Sequence, residues 1–85
     1  MNEPMDLDYL KSNYIPGSRD EDWTWADEAH YLWLTQGEYM LKLLVDIAEN
    51  GIHDPICLGP DGRIWDGHHR ITIATALGLD RVPVE

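Results

Sequence analysis

Arg63-Ile64-Trp65-Asp66-Gly67-His68-His69-Arg70-Ile71-Thr72-Ile73-Ala74-Thr75-Ala76-Leu77-Gly78 is the stretch on which the fold of this 85-residue chain turns. Residues 71–75 are β-branched except for Ala74 and alternate, which suits a strand. Against that, Ile71, Ala74 and Leu77 recur at helical spacing, Asp66 is a suitable N-cap, and Gly78 supplies a stop. A strand over 63–66 passing through Gly67 into a helix over 67–78 satisfies these signals together. Just upstream, Pro55-Ile56-Cys57-Leu58 and Arg63-Ile64-Trp65-Asp66 flank Gly59-Pro60-Asp61-Gly62, with Pro second and Gly fourth in the turn, and so form a hairpin. Downstream, Val82-Pro83-Val84 reads as a short strand that Pro confines to an edge or a strand end.

Working toward the N-terminus, Met40, Leu41, Leu44, Val45, Ile47 and Ala48 repeat at helical spacing ahead of Asn50-Gly51, so residues 36–49 are expected to be a largely buried helix. Thr35-Gln36-Gly37-Glu38 fits a capping box at its start. Between Trp23 and Leu34 two readings compete. Thr24 can cap a helix carrying Ala26, Ala29 and Trp33 on one face, or Tyr31-Leu32-Trp33-Leu34 can be a strand, and the apolar run leans toward the strand. The order from residue 31 is then strand, helix, hairpin, helix, strand, a domain over 31–85 preceded by an acidic, aromatic-rich arm over 1–30. In the arm, Asp6-Leu7-Asp8-Tyr9-Leu10 suits a short helix, and Ile15-Pro16-Gly17-Ser18 a turn or linker.

Composition bounds the rest. An apolar share of 44%, with four Trp and four Tyr but no Phe, is too high for a disordered acidic tail and enough for one modest core. The formal net charge is −10, and the excess is uneven: residues 1–50 hold eleven of the sixteen acids but only three of the six basic side chains. Long, backbone-tracking nucleic-acid binding is disfavoured by such a charge, so direct DNA binding is not expected, and anion chemistry belongs in the second half. The one cysteine, Cys57, forms no internal disulfide, which fits a reducing compartment. With no basic leader, no apolar leader segment and no run of roughly 20 apolar residues, the expectation is a cytoplasmic chain with no membrane partner.

The candidate site is Asp66-Gly67-His68-His69-Arg70. Unpaired N–H groups and the positive end of the dipole at a helix start favour an anion, and Gly67 lets a phosphate approach the backbone. Arg70 adds a bidentate clamp, and His68 and His69 donate hydrogen bonds or gain charge near neutral pH. The alternative is a plain capped helix with surface histidines and Arg70 paired to Asp66 or Asp61. Asp66 reads first as a cap, and second as a catalytic base or a magnesium ligand. A metal site from Asp66, His68, His69 and Cys57 is not favoured, because adjacent histidines at a helix start diverge and no second ligand pair is spaced for zinc.

From Leu43 through Asn50-Gly51-Ile52 and Asp54-Pro55-Ile56, the chain resembles the "L…I…GL..PI" segment of ParB N-terminal domains. Asp66-Gly67-His68-His69-Arg70, Ala74, Leu77-Gly78 and Val82-Pro83-Val84 are similar to that superfamily's "GxxRxxAxxxLG…VPV" block. The resemblance spans about residues 31–85 and implies an α+β ParB/sulfiredoxin-like minimal domain. It also implies binding of the phosphates of CTP or ATP, with Mg, on Gly67, His68, His69 and Arg70. Sulfiredoxins place a catalytic cysteine directly after the glycine, where this chain has His68, so sulfinic acid reduction is not expected. Chromosome-partitioning ParB carries Glu-Arg-Arg in place of His68-His69-Arg70. Hydrolysis of a nucleotide or nuclease-like activity stays open, with His68, His69 and Asp66 as catalytic candidates. Short ParB-like domains of this kind, often labelled nuclease-like, are carried by phages.

A second class of function stands beside this one: a small acidic, phage-type protein that binds and modulates a host protein without catalysis. Trp23, Trp25 and Trp33 are its candidate anchors, against the plainer reading that aromatics in a Phe-free domain are core. The acidic run Arg19-Asp20-Glu21-Asp22 is a solvated loop or a surface that imitates phosphates toward a basic partner.

Overall fold

A computed structural model describes residues 3–17 and 22–85. Ser18 and the acidic run from Arg19 to Glu21 lie outside the described residues. In chain order the elements are β1 (Pro4–Asp6), α1 (Leu7–Asn13), β2 (Ile15–Pro16), α2 (Trp25–Thr35), α3 (Gly37–Asn50), β3 (Cys57–Leu58), β4 (Arg63–Asp66), α4 (His68–Leu77) and β5 (Arg81–Pro83). The protein is a small α+β domain of four helices and two small sheets, with a radius of gyration of 12.0 Å. About 12 Å is what a compact chain of this length should have.

The stretch that opens the sequence folds as a strand leading into a helix. β3 and β4 form the expected antiparallel hairpin, irregular between Cys57 and Leu58, with the Gly59 amide bonded to the Arg63 carbonyl at 2.7 Å. β-Branched residues at 71–73 lose to the helix because α4 is the centre of the core. Ile71, Thr72, Ile73 and Ala74 are all buried, so four consecutive residues spanning a full turn of α4 face the core while Thr75 and Ala76 after them are exposed. Ile71 and Ala74 pack in one cluster with Leu7, Leu10, Ile56, Ile64 and Val82, whereas Ile73 packs in the other with Leu32, Met40 and Ile47.

Four local readings are corrected. Residues 31–34 are the end of α2, not a strand: Leu32 is buried while Leu34 is 75% exposed and Tyr31 lies at the surface, a helical rather than an alternating pattern. The chain from residue 31 therefore runs helix, helix, hairpin, helix, strand. Its capping box sits at Thr24, whose hydroxyl accepts from the Asp27 amide at 3.1 Å while the Asp27 carboxylate accepts from the Thr24 amide at 3.0 Å. The box at Thr35–Glu38 does not form, because the Thr35 hydroxyl donates to the Tyr31 carbonyl at 2.7 Å and α3 begins after Gln36 with no side-chain cap. Ile15-Pro16 is a strand rather than a turn, since parallel pairing to Arg63 and Ile64 of β4 extends it. Asp66 is not the N-cap of α4; it ends β4, and Gly67 takes the cap position.

The first 30 residues supply β1, α1, β2 and the start of α2. β1 pairs antiparallel with β5, Leu7 and Leu10 lie in the main core, and Asp6 caps α1 through the Asp8 and Tyr9 amides. β2 completes the sheet order β2-β4-β3, and an isolated parallel bridge between Ile56 and Val84 links the β3 side to the β1–β5 pair. β4 is thus held on both edges, which fixes where its last residue delivers the chain into α4.

Candidate functional site

Gly67 turns the chain from β4 into α4 with φ 119° and ψ 14°, a left-handed conformation that side chains resist. Space forbids a side chain as well: a Cβ there would lie 2.9 Å from the Ile56 Cγ1 and 3.3 Å from the Arg70 Nη2. The Arg70 head group is therefore folded back over the helix start. Its Nη2 stands 3.3 Å from the Asp66 Oδ2, and its Nη1 3.8 Å from the Asp54 Oδ2. The Arg70 side chain is only 17% exposed, whereas those of Asp54 and Asp66 are 88% and 79% exposed.

A cleft of about 220 Å³ opens here, with Gly67, Asp66, Asp54, His69 and Arg70 on its polar side and Tyr39 and Leu43 of α3 on the other. The His69 Nε2 is hydrogen-bonded to the Gln36 Oε1 at 2.9 Å, and the Tyr39 and His69 rings meet edge to face at 5.3 Å. No side chain caps α4, so the amides of its first turn remain directed at the cleft end of the helix.

His68 is placed elsewhere. Its Nε2 accepts from the Gly17 amide at 3.0 Å, and its ring lies against Trp25 with centroids 5.9 Å apart. Burial pushes its pKa below the ordinary 6.5, with His69 acting in the same direction; Glu28, Asp66 and the Ile64 backbone oppose them. His68 ties β2 and α2 to the start of α4, while Gly67, His69, Arg70 and Asp66 line the cleft. No sequence pattern marks Asp54 and Tyr39 as site residues, because only the packing of α3 on α4 and the run from Gly51 to β3 bring them here. Asp54 was visible solely as part of the Asp54-Pro55-Ile56 segment.

The three tryptophan candidates are half-buried. The Trp23 Nε1 donates to the Glu28 Oε1 at 2.9 Å, the Trp25 Nε1 donates to the Tyr14 carbonyl at 2.8 Å, and Trp33 packs against the second core cluster. Cys57 is half-buried on β3. Among the described residues no group of three or more His, Cys, Asp or Glu side chains could hold a metal ion. Magnesium needs less, since one or two carboxylates suffice when phosphates supply other ligands. The exposed Asp54 fits that limited part. No described helix is long and apolar enough to cross a membrane.

The chain matches no family model, no curated protein and no solved structure.

Proposed function

We propose that this chain is a ParB/sulfiredoxin-like domain that binds a phosphate group, that of a nucleotide such as CTP or ATP, at the start of α4. One observation carries the reading: an uncapped helix start, an Arg70 guanidinium and the His69 imidazole converge on one cleft beside a glycine that leaves the backbone bare. The amides of the first turn and the helix dipole favour a phosphate, and the Arg70 fork clamps it. Asp54, the more loosely paired carboxylate, is the residue that would hold a magnesium ion arriving with the phosphates and offsetting their charge. If hydrolysis follows, Arg70 stabilises developing charge and His69 moves a proton through the ring nitrogen that Gln36 does not hold. His68 is engaged by Gly17 and takes no part.

The deciding experiment is a titration of the purified protein with CTP, ATP and ADP, with and without magnesium, beside Arg70→Ala. Binding that Arg70→Ala weakens by about tenfold or more supports the reading. Absence of binding, or binding indifferent to Arg70, overturns it.

A further inference from the structure

We propose that the outer face of α3 docks a cationic amphipathic helix of a partner protein, a function independent of the phosphate cleft. The core side of α3 is furnished by Met40 and Ile47, with Leu43 and Leu44 partly buried beside them. Leu41 and Val45 are not used there; they are 58% and 53% exposed. With Leu44 and Ala48 they form an i, i+3, i+4, i+7 seam, the width and spacing by which one helix packs on another. The seam runs two turns, about 10 Å, and its smaller residues Val45 and Ala48 permit close approach of a second backbone.

Charge selects the occupant. Helical spacing sets Glu38 three residues from Leu41 and Glu49 four from Val45, an acidic rim along the seam's outer edge opposed by Lys42 alone, on a chain whose net charge is −10. A second copy would bring the same acidic rim and the same net charge against this one. A helix with lysines or arginines flanking an apolar stripe meets both the seam and the rim.

The probe is a fluorescein-labelled 14-residue peptide of Leu and Lys, with Leu at helical seam spacing, titrated into the intact chain near physiological salt. Two control peptides accompany it: the same residues scrambled so that no apolar face forms, and the seam peptide with Glu in place of Lys. The seam peptide should bind at least about tenfold more tightly than either. Leu41→Ser with Val45→Ser changes no charge and touches only exposed side chains, and should remove about tenfold of that affinity. Arg70→Ala, which tests the phosphate cleft, and Trp65→Ser, which alters an exposed aromatic on β4, should leave it unchanged. Equal binding of the scrambled or acidic peptide, or an unaltered affinity in the double variant, would overturn the proposal. So would a loss with Trp65→Ser as large as the double variant's. A dimer in sedimentation that the double variant dissociates would assign the face to a second copy instead.

Discussion

The Gly17 amide donates to the His68 Nε2 across 3.0 Å, so the residue that follows β2 is tied to the first residue of α4, 51 positions away. An imidazole does this only while neutral, because a protonated ring has no acceptor. Burial holds the folded-state pKa of His68 below its ordinary 6.5. The unfolded chain takes up the proton near that value and the folded chain only at lower pH. Stability is therefore expected to fall as the pH drops through about 6.5, levelling off below the folded-state pKa. His68→Phe keeps an aromatic ring beside Trp25 but strands the Gly17 amide. It should cost about 1–3 kcal/mol at pH 7.5 and flatten the pH dependence of the urea midpoint between pH 7 and 5.

Thr24 and Thr35 compete for the same role in the sequence, and only Thr24 fills it. Thr24→Ala should lower stability by about 1 kcal/mol, and Thr35→Ala, whose hydroxyl only back-bonds within α2, by less than half of that. The backbone and then the side-chain hydrogen bonds to Thr24 hold the Asp27 carboxyl below its ordinary 3.8. That contribution is present above about pH 3.8 and is lost at more acid pH, separate from the His68 window. Urea unfolding of both alanine variants at pH 7 checks the ranking.

Where a local signal and its tertiary setting agreed, the fold was legible. The α3 helix, the Gly59–Gly62 turn and the Gly78 stop are short-range features, and each is present; the expected burial of α3 is not, since only Met40 and Ile47 are buried while Leu41, Val45 and Ala48 are exposed. Tyr31-Leu32-Trp33-Leu34 misled because four adjacent apolar residues fit either period, and burial of Leu32 with exposure of Leu34 follows only from where α2 packs. β2 is two residues long and exists through its pairing with β4, which no local pattern announces. At the site, Gly67, His69 and Arg70 were readable as a helix start, but the partners of Arg70 were not: Asp54 reaches it through the chain reversal after α3.

Gly67 is strained for any other residue on two independent counts. Gly67→Ala would require a positive φ of 119° and would press a methyl group onto the fully buried Ile56. The expected loss is about 2–4 kcal/mol. Gly78 also has a positive φ, 71°, in the ordinary left-handed region, but its Cβ would point into open space, so Gly78→Ala should cost only about 1 kcal/mol. Thermal or urea unfolding of the two variants side by side separates the steric part from the backbone part; equal losses would show that Ile56 yields freely.

Arg70 lies between two carboxylates, and both compete with any anion for its guanidinium. Both carboxylates are mostly exposed, so water and salt screen them and neither is a strong lock on the arginine. Removing one charge should therefore strengthen binding of a metal-free phosphate, by about two- to fivefold each for Asp54→Asn and Asp66→Asn, with the gain shrinking as salt rises. With magnesium present the two variants should diverge. Asp54→Asn removes the carboxylate proposed to hold the ion and should lose the magnesium-dependent part of nucleotide affinity, whereas Asp66→Asn should retain it. Calorimetric titration of ADP with and without magnesium into both variants checks the pair. Weaker metal-free binding in either variant would mean that the carboxylates orient Arg70 for the phosphate rather than compete with it.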